Sequence, residues 1–227
     1  MPSGIRFTPN DVRESNMKLY ADPITVNCRK VLAGFKLMGI PYERIHVDYF
    51  KSEQLNEDFI KINPNAALPA LVDDDLVLWE SNSLLQYAAD KYGKSEFYPT
   101  DLKIRADINR WLLWEASAWF GCCYVYLVEN CVKPVLDSSP DPKILEDQDP
   151  KFHKLAGILD NRLGQNEWIA GNGPTIADIA CAAPMHLHGW QKLPLDQHAN
   201  IRRWMTQNVE QLPAWKETHV GEGFTLS

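Results

Sequence analysis

The 227-residue sequence predicts two unlike halves, an α+β unit of order β-α-β-α-β-β-α followed by an all-α unit. Three observations predict it. Strand and helix signals alternate from Lys18 to Gly93. No strand pattern appears after Gly93, and seven of the eight tryptophans, all but Trp79, lie beyond it.

Taken in order, Lys18-Leu19-Tyr20 reads as a short strand, and Val31, Leu32, Phe35 and Met38 then recur at helical spacing until Gly39 stops them. Tyr42 to Val47 alternates as a strand. Glu53 to Ile62 reads as an amphipathic helix that ends in the turn Asn63-Pro64-Asn65. Ala70-Leu71-Val72 and Leu76-Val77-Leu78 flank an acidic turn, Asp73-Asp74-Asp75, as a hairpin would. A helix from Asn82 to Tyr92, closed by Gly93, completes a unit over residues 17–93. Residues 94–101, with Pro99, make the linker to a helical unit over 102–227. There, long helices are expected at Leu102 to Val132 and Lys151 to Leu163, with shorter ones from Thr175 and from Asn200 to Val209. The Pro- and Asp-rich stretch Asp137 to Pro150 reads as a surface loop. Residues 1–16 read as a flexible extension; they carry Arg6, Asp11, Arg13 and Glu14 and lack the apolar core of a secretory signal.

With 23 Lys+Arg against 30 Asp+Glu, the net charge is −7, and 45% of residues are hydrophobic. That balance is of an ordinary globular protein and argues against disorder and against a nucleic-acid partner, whose footprint is basic. Five cysteines, with no C-x-x-C pair, argue against a disulfide-stapled secreted fold and for a cytoplasmic location. Trp111 to Val128 is almost wholly apolar and nearly long enough for a bilayer. Glu115 in its interior and the polar Asp107-Ile108-Asn109-Arg110 before it predict a core helix instead, with no membrane partner. His186 and His188, two apart, face different ways, and His46, His153, His198 and His219 are scattered, so no metal site is expected. No glycine-rich phosphate loop is present.

Three features carry chemistry. The turn Asp22-Pro23-Ile24-Thr25-Val26-Asn27 sets Thr25 and Asn27 at the start of the first helix, where their donors and the free helix N–H groups suit an anion; a plain helix cap is the alternative. Leu68-Pro69 opens the third strand, where the missing N–H must be excused by an edge position or a cis peptide. Glu80-Ser81-Asn82 at the last helix start of the first half can receive an ammonium and a carboxylate side by side.

From Met17 to about Trp215 the sequence resembles the cytosolic glutathione transferases. Asn63-Pro64, Leu68-Pro69-Ala70-Leu71 and Trp79-Glu80-Ser81 resemble that family's thioredoxin-like half, and Gly173-Pro174-Thr175-Ile176-Ala177-Asp178 resembles the capping motif of its helical half. The resemblance implies glutathione as co-substrate, no metal, a homodimer, and a detoxifying transferase. Thr25 stands where members place a catalytic serine or cysteine, and Thr25-Val26-Asn27 resembles the Thr-x-Asn turn of a bacterial and fungal, theta- or Nu-like branch, with Asn27 as second donor. Leu68, Pro69, Glu80 and Ser81 fall where the family holds the tripeptide; Lys51 and Gln54 fall where it holds the glycine carboxylate, although ordinary solvation explains them equally. Cys28 falls at the second cysteine of a thioredoxin-like pair without a first, and is read as a buried apolar residue rather than a redox thiol. Ala66 and Ala67 depart from the usual Gly and polar residue.

A thiol with a pKa of about 8.5 is only slightly ionised at neutral pH, and the thiolate is the nucleophile. A charge-assisted hydrogen bond contributes about 1.5–3 kcal/mol and a helix terminus about 0.3–2, against about 1.36 per pKa unit, so Thr25, Asn27 and one helix end suffice without a base or metal. The electrophile is expected against the helical half, where Asp107, Trp111, Trp114, Ala118, Cys122 and Val125 share a face in an ideal helix; Trp111 and Trp114 would wall the site, or would simply be core. Arg105 and Arg110 lie on the same helix. Glutathione-dependent disulfide reduction and a non-catalytic interaction module are the competing readings.

Overall fold

The computed structural model describes residues 16–220, so the extension expected over 1–16 lies outside the described residues except for Asn16. The first half is thioredoxin-like: β1 (Lys18–Ala21), α1 (Val26–Met38), β2 (Glu43–His46), α2 (Glu57–Ile62), β3 (Ala70–Asp73), β4 (Leu76–Trp79) and α3 (Ser81–Lys91). Its four strands run in the order β2-β1-β3-β4. β1 is parallel to β2, with Leu19 opposite Arg44, and antiparallel to β3, with Leu19 opposite Leu71. β3 and β4 form the expected hairpin.

The sheet needs a cover, and α1 and α3 supply it. Val31, Phe35, Leu84, Leu85 and Ala88 are fully buried between them. Gly34 is what lets the helices touch: a Cβ there would stand 2.3 Å from Leu85 Cδ2. Gly39, at φ 62°, ends α1 in a left-handed turn that returns N–H groups to the Phe35 and Lys36 carbonyls.

The helix expected over Glu53 to Ile62 is broken in two. A 3₁₀ turn spans Glu53–Leu55, Asn56 is extended (φ −66°, ψ 141°), and α2 starts at Glu57. Glu53 is drawn out of the helical pattern because its Oε2 accepts the Asp48 N–H at 2.7 Å and closes the preceding loop.

In the second half a single helical run contains α4 (Leu102–Trp114), α5 (Phe120–Leu127) and α6 (Lys133–Val135), joined by π turns at Glu115–Trp119 and Val128–Val132. The surface loop expected over Asp137 to Pro150 is corrected: only 137–141 is loop, and α7 runs Pro142–Gln165. Asp141 Oδ1 caps it by accepting the Lys143 N–H at 2.9 Å, and Pro142 occupies the first helical position, where its fixed φ fits and no N–H is missed. The acidic and proline residues mark a helix start. α8 (Ile176–Ala182), α9 (Ala199–Arg203) and α10 (Pro213–Glu217) follow. Trp119, Phe152, Leu159 and Trp204 fill the core of this half. Among the described residues no helix is long and apolar enough to cross a membrane, and no group of three or more His, Cys, Asp or Glu is placed to hold a metal.

Candidate active site at the entrance of the first helix

The chain turns from β1 into α1 around Asp22, which is buried. Its carboxylate accepts the Ile24 N–H (3.1 Å) and the Tyr49 N–H (2.9 Å), tying the turn to the loop after β2. Thr25 is the N-cap residue of α1 (φ −86°, ψ 140°), yet its side chain caps nothing. Its hydroxyl donates back to the Asp22 carbonyl at 3.2 Å. That is long for an O–H···O bond, so a stronger acceptor at the mouth would redirect it at little cost. No side chain therefore caps the first-turn amides of α1, which sit at the positive end of the helix dipole.

Cys28 is fully buried one turn in, and burial pushes its thiol up to about 12, the Thr25 hydroxyl opposing only in part. Such a thiol stays protonated and unreactive at neutral pH. Asn27 is half-buried and accepts the Ser81 hydroxyl at 3.3 Å on Oδ1.

Ser81 opens α3 beneath the same mouth. Glu80 before it holds a left-handed backbone (φ 73°, ψ 105°), a conformation an unbranched acid adopts only under constraint. Its carboxylate is exposed and has no hydrogen-bonding or ionic partner among the described residues. Leu68 precedes Pro69 through a cis peptide bond, and the sheet ladder starts only at Ala70, so the Leu68 peptide groups lie just outside it. Asn63 builds the preceding turn: its Nδ2 donates to the Ala67 carbonyl (2.7 Å) and its Oδ1 accepts the Asn65 N–H (3.1 Å), holding Ala66 at φ 50°. That left-handed backbone is where a glycine would sit without strain.

Thr25, Asn27 and Ser81 are thus brought together, with Glu80 and Leu68 on adjoining turns. Lys51 is exposed and paired with Asp48 at 3.0 Å. Gln54 is buried, with Oε1 lacking a partner among the described residues. Trp111 and Trp114 take the core alternative. The Trp111 ring, only 5% exposed, meets Trp114 edge-on, and Trp114 stacks on the fully buried Trp119, inside the helical half. The π turn at Glu115–Trp119 adds a residue to one turn and rotates everything after it, so residues before and after it do not stay on one face. Arg105 and Arg110 are engaged with Asp90 and Asp107.

Sequence reasoning missed two groups. Lys30 and Glu115 form an ion pair at 2.8 Å, 2% and 0% exposed, between α1 and the π turn after α4. The signal was Glu115 alone in an apolar run, since a buried carboxylate demands a counter-charge. Second, a separate apolar cluster sits on Val26, next to Thr25: Leu127, Cys131 and Ala183, with Phe120, Val132, Leu187 and Trp190 packed on them. Phe120 stacks with Tyr124 on the outer side of α5.

Comparison with known proteins agrees with this geometry. Residues 19–96 match the glutathione S-transferase N-terminal domain and residues 131–213 the C-terminal domain. The chain is 28% identical over 206 residues to glutathione S-transferase D7 of Drosophila melanogaster, covering 89% of this chain and 88% of that one. Among solved structures it is similar to human glutathione-S-transferase T1-1 (28% identity, TM-score 0.81, 90% and 88% of the two chains). It is also similar to human glutathione transferase theta-2 in complex with glutathione (26%, TM-score 0.77, 85% and 80%). The two matched domains together cover more than half of the sequence, and the chain belongs to the glutathione S-transferase family.

Proposed function

We propose that this chain is a glutathione transferase that holds the glutathione sulfur as thiolate at the mouth of α1 and joins it to a hydrophobic electrophile. The observation that carries the proposal is the uncapped entrance of α1, with the half-buried Thr25 hydroxyl free of any capping role and Asn27 two residues further in. Thr25 donates to the sulfur and Asn27 assists, as in the Thr-x-Asn branch. The Leu68 peptide groups, held by Pro69, meet the cysteinyl backbone. The Ser81 N–H and the other first-turn amides of α3 receive the γ-glutamyl carboxylate, the Ser81 hydroxyl proton being given to Asn27 Oδ1, and the unpaired Glu80 carboxylate receives its ammonium. Lys51 and Gln54 are assigned to the glycine end, where the Lys51 ammonium and Gln54 Nε2 are the groups that can donate to its carboxylate.

The electrophile is assigned to the apolar cluster on Val26, walled by Phe120, Tyr124, Leu187 and Trp190, rather than to Trp111 and Trp114. A homodimer, a cytoplasmic location and a division into units at residues 94–101 complete the reading.

The test is retention on immobilised glutathione, followed by conjugation of an aryl halide by wild type, Thr25→Ala and Cys28→Ser. Thr25→Ala is expected to lower conjugation about 10- to 100-fold, the loss of one hydrogen bond to an anion, and Cys28→Ser to leave it within about twofold. Absence of glutathione retention by wild type overturns the proposal. Mixed-disulfide reduction measured on the same set shows whether the thiolate also serves a reductase; Cys28→Ser abolishing it would place Cys28 in the chemistry.

A further inference from the structure

Beneath the proposed sulfur site lies a hydrogen-bond chain whose direction is fixed from its buried end. The Lys30 ammonium has three protons and three acceptors: the Glu115 carboxylate (2.8 and 2.9 Å), Asn82 Oδ1 (3.3 Å) and Ser81 Oγ (3.1 Å). Lysine has donors only, so Ser81 Oγ must accept from it. The serine's own proton is then left for its other neighbour, Asn27 Oδ1, at 3.3 Å. With Oδ1 held inward by that proton, the Asn27 amide has its NH₂ turned away from Ser81. The same ammonium orients Asn82, whose Oδ1 faces Nζ while its Nδ2 donates to the Leu112 carbonyl (2.9 Å) and Glu115 Oε2 (3.0 Å).

We infer that Lys30 is a positioning residue for thiol activation: through Ser81 it fixes the Asn27 amide with its NH₂ toward the glutathione sulfur, and Glu115 keeps that ammonium in place. The inference rests on the functional reading above and deepens it. An amide free to flip would present Oδ1 to the sulfur about as readily as NH₂, and an oxygen there disfavours the thiolate. Lys30 removes that choice without touching the tripeptide. Its cost is a charge buried at 2% exposure, which the Glu115 carboxylate compensates.

Removing one charge would strand the other, so the test replaces both. Lys30→Met/Glu115→Met keeps side-chain volume and leaves no unpaired ion. Thiolate absorbance of bound glutathione is titrated against pH. The double variant is expected to raise the bound thiol pKa by about one unit, to move the acid limb of the kcat profile up by the same amount, and to leave KM for glutathione within about twofold. In an Asn27→Ala background the same pair of changes is expected to move the pKa no further, because the effect passes through Asn27. If the double variant does not fold, Ser81→Ala severs the chain with the ion pair intact and is expected to give the same upward shift. Glutathione bound with unaltered ionisation in the severed protein, or a full shift persisting without Asn27, overturns the inference while leaving the functional reading intact. A wild-type chain that binds no glutathione overturns both.

Discussion

Thr25 and Thr175 occupy the same position, the N-cap of a helix, and are used in opposite ways. Thr175 is buried in a closed capping box: the Asp178 carboxylate accepts the Thr175 N–H and hydroxyl, both at 2.9 Å, the Ile169 N–H at 2.8 Å and the Trp204 indole N–H at 3.1 Å. The Thr175 N–H and hydroxyl are both taken by that carboxylate. Thr25 is half-buried, caps nothing and leaves the α1 amides open. The closed cap serves the fold, whereas the open one leaves its helix start available for the proposed thiolate.

The contrast breaks most visibly at Asp178. Asp178→Ala strands four donors, Ile169 N–H, Thr175 N–H, the Thr175 hydroxyl and Trp204 Nε1–H, and is expected to cost about 3–5 kcal/mol, lowering Tm by about 10 °C in a chain this size. Denaturant unfolding measures it, and a loss below about 1 kcal/mol would remove the distinction. Thr25→Ala should show the reverse, unfolding within about 0.5 kcal/mol of wild type while kcat/KM falls about 10- to 100-fold. Thr25→Ser, which keeps the hydroxyl, should recover most of that activity.

Beyond the far end of α8 the contrast sharpens with pH. His186 is buried beside Arg29, its Nδ1 near the Ala183 carbonyl at 2.9 Å, and burial first, then Arg29, holds its pKa down at about 3 against the ordinary 6.5. The unfolded chain binds that proton more readily, so the stability this residue confers is complete above pH 6.5 and is lost as pH falls from 6.5 toward 3. His186→Asn should flatten unfolding free energy across that window, and an unchanged slope would contradict the assignment. The smallest effect is at Ala66, whose φ of 50° costs an alanine about 1 kcal/mol: Ala66→Gly should be neutral or stabilising by up to that amount, whereas any other alanine-to-glycine change in a loop should destabilise.

Much of this was legible in the sequence because local rules carried it. Gly39 after an apolar helical stripe, the acidic turn between Ala70 and Leu78, and Thr175 followed three residues later by Asp178 each specify their structure within a few residues. Thr25, Asn27 and Ser81 could be named because each sits at a helix start. What stayed hidden depends on distance or on helix irregularity. Lys30 and Glu115 are 85 residues apart, and only the oddity of an acid in an apolar run hinted at a partner. Phe120 and Leu127 stayed hidden because periodicity assumes 3.6 residues per turn, while the π turn at Glu115–Trp119 shifts the face that α5 turns to Val26. Proline composition misled at residues 142–150, where Asp141 and Pro142 start a helix.

The central claim is that neutral donors at the open end of α1 stabilise a thiolate. Ultraviolet titration of glutathione bound to the wild-type chain and to Thr25→Ala tests it most directly. The account predicts a bound thiol pKa at least about one unit below the free value of about 8.5, rising back toward it in the variant. Glutathione that binds wild type yet ionises as it does in buffer would contradict the claim.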